Sequence, residues 1–109
     1  MSPFFMVSVQ QRTRRSGTVK PIFRTHALRR MFERGITIDD VRHVVTTGKV
    51  IKDYPDDIPY PSRLLLGWRG QRPLHVVCAD DNATGQTIII TAYEPDPAQW
   101  KPDFERKKS

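Results

Sequence analysis

Three short runs in the second half of the chain alternate between apolar and mixed positions: Arg63 to Trp68, Pro73 to Ala79 and Thr87 to Tyr93. A period of two predicts strands. Turns separate them near Gly70 and over Asp80 to Gly85, where Asp, Asn and Gly supply the backbone geometry. Lys49 to Tyr54 predicts a fourth strand. The stretch after it, YPDDIPYPS, has three prolines. Each removes a ladder donor and fixes φ, so Tyr54 to Ser62 reads as a rigid connection.

The first half changes period. Ala27, Leu28, Met31 and Phe32 recur at helical spacing and predict a helix over Thr25 to Arg34, stopped by Gly35. A second helix is predicted from Ile38 to Thr47. Thr37 is its N-cap, Asp40 stands three residues on, and Ile36 and Val41 form a hydrophobic staple. Ile38, Val41, Val44 and Val45 make its inward face, and Gly48 closes it. The fold class is therefore α+β, with two N-terminal helices packed on a four-stranded, mainly antiparallel sheet. Residues 1–20 read as a flexible basic arm, 21–104 as a single domain and 105–109 as a frayed charged tail.

Alternation divides each strand between two faces. Leu64, Leu66, Trp68, Leu74, Val76, Cys78, Ile88, Ile90 and Ala92 form the larger, wholly apolar set and are expected under the helices. The other set includes Arg63, Leu65, Gly67, His75, Val77, Ala79, Ile89, Thr91 and Tyr93. An imidazole, a guanidinium and two hydroxyls on the uncovered face suggest a reaction surface. A plainer reading stays open, in which His75 is a hydrogen-bonded core residue and Tyr93 a packing residue.

Charge points to the class of partner. The chain carries 18 Lys/Arg against 12 Asp/Glu, a net +6. Eight of those cations, with one acid, fall in residues 1–34. Such a field favours polyanions, nucleic acid first, without fixing any chemistry. His26, Arg30 and Arg34 form a cationic stripe on the first helix. The lone cysteine, Cys78, excludes a disulfide framework and reads as a small buried hydrophobe. No ligand pairing for a metal centre, no P-loop and no GxGxxG is present, so neither metal nor other cofactor is expected. The apolar run Phe4 to Val9 precedes the basic cluster, the wrong order for a signal peptide. A cytoplasmic protein without a membrane partner is expected.

The stretches HALRRMFERGITIDDVRHVV, GKVIKDYPDDIPYPSRLLLGW, RPLHVVCADD and TIIITAYEPDPAQW together resemble a bacterial family known as domain of unknown function 4258. That family resembles in turn, more distantly, the RelE/ParE toxin group. The resemblance implies a small toxin-like protein with RNA as substrate, a cognate antitoxin as partner and the ribosome as a further candidate. Metal-independent cleavage by the RNA 2′-hydroxyl needs a base, phosphate ligands and an acid. His75 is assigned as base or acid, and Arg63 and Arg34 as phosphate clamps. Tyr93 is the orienter or acid, Thr91 a phosphate support and His26 a second proton-transfer group. Arg30 joins Arg34 as a nucleic-acid ligand. The alternatives are a non-catalytic nucleic-acid-binding or protein-inhibiting module of the ParE kind, and a small interaction protein.

Overall fold

The computed structural model describes residues 20–108. All of the predicted N-terminal arm but Lys20 lies outside the described residues. Two helices, α1 (Thr25–Glu33) and α2 (Ile38–Thr47), pack on one face of a five-stranded sheet. The strands are β1 (Ile22–Phe23), β2 (Lys49–Tyr54), β3 (Ser62–Arg69), β4 (Arg72–Asp81) and β5 (Gln86–Tyr93). Their order across the sheet is β1-β5-β4-β3-β2. β1 runs parallel to β5 and the other neighbours are antiparallel, so the sheet is mixed. The predicted four strands lacked β1. Two residues cannot display an alternation, and Ile22 and Phe23 become a strand only by pairing with Ile88 and Ile89.

Local signals settle α2. The Thr37 hydroxyl accepts from the Asp40 N–H and the Asp40 carboxylate from the Thr37 N–H, a closed capping box. Ile36 and Val41 are both buried. On α1, Gly35 supplies the left-handed residue after the helix, with φ 67°. Its buried stripe is narrower than predicted. Ala27 and Met31 enter the core, while Phe32 is 87% exposed. Phe32 is rotated about 100° from Met31, off the face that meets the sheet.

The core beneath the helices comprises Leu65, Leu74, Val76, Cys78, Ile89 and Ala92 from the sheet, with Ala27, Met31, Ile36, Val41 and Val44 from the helices. This corrects two strands of the face assignment. On β3 the inward residues are Leu65 and Gly67, not Leu64, Leu66 and Trp68. Gly67 decides the register, because a Cβ there would stand 3.1 Å from the Val44 Cα. On β5 a bulge between Thr91 and Ile89, opposite Val77 and Cys78, makes Ile90 an extra residue. Ile89 therefore turns inward, and Ile88 and Ile90 turn away.

The second face of the sheet is covered as well. Residues 95–108 cross it. Asp96 starts a turn by accepting from Ala98 N–H through its side chain and from Gln99 and Trp100 through its carbonyl. A hairpin follows, held by Lys101 N–H to Arg106 O, Lys108 N–H to Gln99 O and a Trp100–Lys107 bridge. Residues 105–108, expected to fray, are part of this hairpin, and Glu105 pairs with Lys49 at 2.7 Å. Burial on both faces explains why β3 and β4 read as near-continuous apolar runs.

Gly48 ties α2 to this arrangement. A Cβ there would lie 2.5 Å from the Val44 carbonyl oxygen and 2.8 Å from that of Leu66. Neither backbone can retreat without disturbing the packing of α2 on β3. Gly48→Ala is expected to destabilise the fold by about 2–3 kcal/mol, measured by denaturant unfolding. Gly70→Ala meets no neighbouring atom but is strained at φ 63°, and should cost less, about 1 kcal/mol.

Candidate active site

His75 is fully buried, yet not under the helices. Its cross-strand neighbours are Leu66 and Tyr93, so its ring lies on the face crossed by residues 95–108. The Trp100 ring meets the imidazole edge-on at 4.5 Å between centroids, and Tyr93 does so at 5.3 Å. Both ring nitrogens are engaged. Nε2 is 2.8 Å from the Phe104 carbonyl oxygen and Nδ1 is 3.3 Å from the Tyr93 hydroxyl. A carbonyl can only accept, so Nε2 carries the hydrogen. Nδ1 of the neutral ring then accepts from the Tyr93 O–H.

Burial holds the His75 pKa below its ordinary value, opposed by the bond to Phe104. Burial also raises the Tyr93 pKa. The neighbouring Tyr54 adds to that rise and Arg34 opposes it. The result near neutral pH is a neutral imidazole accepting from a neutral phenol.

The lowered His75 pKa fixes a pH dependence. The unfolded chain takes up this proton at about pH 6.5, and the folded chain only at lower pH. The unfolded state binds more protons in that window, so stability falls as pH drops below about 6.5. The limiting slope is about 1.4 kcal/mol per pH unit for one proton. Urea midpoints between pH 7.5 and 5 should show this loss, and His75→Gln should flatten it.

Beside the pair lies an open groove of about 430 Å³. Lys52 and Tyr54 of β2, Tyr93 of β5, and Trp100, Glu105, Arg106 and Lys107 of the hairpin line it, with the Glu105 carboxylate paired to Lys49. The Lys52 ammonium stands 5.5 Å over the Tyr54 ring, and the Lys107 ammonium 5.9 Å over the Trp100 ring. Arg106 is bound to Asp103 at 2.9 Å. The groove thus combines cations with aromatic faces, suited to phosphates and unstacked bases.

The sequence-predicted constellation divides. His75, Tyr93 and Thr91 share one face, as the register requires. Arg34 reaches the same strand from the end of α1, donating to the Ala92 carbonyl at 2.9 Å and lying 3.5 Å from the Thr91 hydroxyl. Arg63 is on the opposite face, bound to Asp80 at 2.7 Å. The Leu64–Leu65–Leu66 run hid that one-residue slip, which moves every side chain of a strand across the sheet. His26 and Arg30 are exposed on α1. α1 packs on the far side of the sheet from the His75 ring, so His26 cannot serve as a second proton donor there. Buried Cys78 has its pKa raised by desolvation.

Lys52, Tyr54, Trp100, Phe104, Arg106 and Lys107 escaped the sequence reading. Lys52 and Tyr54 alternate on one side of a predicted strand, which was a usable signal. The hairpin residues gave none, because a charged terminal stretch carries no period. Among the described residues, no group of three or more His, Cys, Asp or Glu side chains is placed to hold a metal, and no helix is long and apolar enough to cross a membrane.

Comparison with known families matches residues 23–94 to the family described as Domain of unknown function (DUF4258). No curated protein and no solved structure matches the chain.

Proposed function

We propose that this chain, which belongs to the DUF4258 family, captures single-stranded RNA in the groove beside Tyr93 and cleaves it without a metal. One observation carries the reading: the Tyr93 hydroxyl, backed by the buried His75, stands at the wall of a groove lined by Lys52, Lys107 and Arg106. Lys52 and Lys107 are the phosphate ligands, with Tyr54 and Trp100 as stacking faces. Arg34 adds positive potential from the strand edge. Arg63 has no part in this chemistry, because it is paired with Asp80 on the other face.

The chemistry is a proton relay. The 2′-hydroxyl gives its proton to the Tyr93 oxygen as the Tyr93 proton passes to His75 Nδ1. The 2′-oxygen bonds to phosphorus, the bond from phosphorus to the 5′-oxygen breaks, and that oxygen takes a proton from water. The imidazolium formed keeps its Nε2–H on the Phe104 carbonyl and returns its Nδ1 proton, through Tyr93, to the hydroxide left by that water. Products are a 2′,3′-cyclic phosphate and a 5′-hydroxyl. Toxin-like growth arrest on expression, a cognate antitoxin and a ribosomal target follow from the RelE/ParE resemblance and belong to the same proposal.

A second reading, RNA capture without cleavage, draws on the burial of His75, whose ring touches no solvent. Titration of a labelled single-stranded RNA at several salt concentrations tests the shared part. Binding should weaken steeply with salt. Lys52→Ala and Lys107→Ala should each lower the log–log salt slope by about 0.7. A slope near zero, or one that neither substitution changes, removes RNA from the groove.

A further inference from the structure

We infer that Phe104 is a positioning residue for the Tyr93–His75 pair: its main-chain carbonyl keeps the imidazole hydrogen on Nε2 and leaves Nδ1 free to accept from the phenol. This rests on the reading of Tyr93 as the proton-transfer group. The geometry is specific. The carbonyl lies 2.8 Å from Nε2, and a neutral imidazole has only one N–H to offer. Without that acceptor the ring can carry its hydrogen on Nδ1. It would then donate to the Tyr93 oxygen, and the phenol proton would have no acceptor.

The carbonyl is aimed deliberately. Phe104 sits at φ 57°, the left-handed region that a bulky side chain avoids at a cost of about 1–2 kcal/mol. The surrounding hairpin maintains this conformation. Phe104 N–H donates to the Lys101 carbonyl at 2.7 Å, and the Trp68 and Phe104 rings meet edge-on at 5.9 Å. Glu105 anchors the adjacent position to Lys49. Strain retained next to a buried polar contact fits a functional constraint. The pair lies within the segment matched by the family and Phe104 lies beyond it, so this chain's C-terminal hairpin supplies the orientation. The charged and titratable groups around the pair are Lys52 and Tyr54 on β2, Arg34 at the end of α1, and Glu105, Arg106 and Lys107 on the hairpin.

The tautomer can be read directly. In the ¹⁵N-labelled full chain at neutral pH, long-range ¹H–¹⁵N correlations should show His75 protonated on Nε2 and bare on Nδ1. Phe104→Gly keeps the carbonyl and tolerates the left-handed backbone. It should retain that signature. Phe104→Pro, locked at φ near −65°, must move the carbonyl. It should lose the signature, lower the Tyr93 phenol pKa and slow cleavage about tenfold or more. Should the Pro chain fail to fold, the parent and Gly chains decide. A His75 ring protonated on Nδ1 in the parent, or a signature lost in the Gly chain, overturns the inference. The expected tautomer in a parent chain that leaves RNA intact upholds the positioning by Phe104 and overturns cleavage.

Discussion

A Tyr93→Phe chain is expected to bind RNA as tightly as the parent and to cleave it roughly 10²- to 10⁴-fold more slowly, the usual contribution of a positioned acid–base group. The phenyl ring preserves the edge-on contact with His75 and the wall of the groove. Only the hydroxyl is lost, and with it the donor to His75 Nδ1. One missing hydrogen bond costs about 1 kcal/mol of stability, far too little to unfold the chain and mimic inactivity. Single-turnover cleavage with saturating protein separates the two effects. A parent-like rate in Tyr93→Phe contradicts the role given to this hydroxyl.

His75→Ala should be the most destabilising histidine substitution in the described chain, by about 3–5 kcal/mol. It removes a fully buried ring and strips the Tyr93 hydroxyl and the Phe104 carbonyl of their partners at once. Trp100 loses the edge it packs against. His26→Ala is the contrast. That residue is exposed on α1, and its loss should stay within about 0.5 kcal/mol. Denaturant unfolding of the two chains measures the difference, and similar values would contradict the packing of the imidazole between sheet and hairpin. Activity in His75→Ala is interpretable only where the chain is folded.

These two histidines also show how far the sequence could be read. Helix α2 was legible in detail because its signals are local: a capping box, a staple and a closing glycine occupy fixed offsets. The strands were legible as strands, but not fully as faces. Alternation identifies a side only when one side is polar. The second face here is buried under residues 95–108, so Leu64, Leu65 and Leu66 offered equal claims to the core. Space resolved the ambiguity, since only Gly67 admits Val44 at that distance. The bulge at Ile90 was invisible for a related reason: three consecutive isoleucines read the same in either phase. Arg63 and His26 were grouped with His75 as a result, one through a slipped register and one through a helix on the wrong side. Tyr93, Thr91 and His75 were placed together correctly because cross-strand pairing at that end of β4 and β5 lies beyond the bulge. The hairpin that completes the groove depends on long-range contacts, Glu105 with Lys49 and Phe104 with His75 and Trp68. No local pattern encodes those.

The corrected site changes the origin of the positive charge. The sheet's own guanidinium, Arg63, is neutralised by Asp80. Lys52 from the edge strand and Lys107 from the hairpin line the groove beside the tyrosines. A phosphate seated between them would lie beside Tyr93 rather than against the buried imidazole. This favours the phenol as the group that meets substrate, with the imidazole behind it.

The chemical ends of RNA incubated with the parent chain in excess chelator test this account most directly. A 2′,3′-cyclic phosphate and a 5′-hydroxyl are expected, together with loss of cutting when the nucleotide at the cleaved bond lacks its 2′-hydroxyl. Intact RNA under saturating protein, or products ending in a 3′-hydroxyl and a 5′-phosphate, would contradict it.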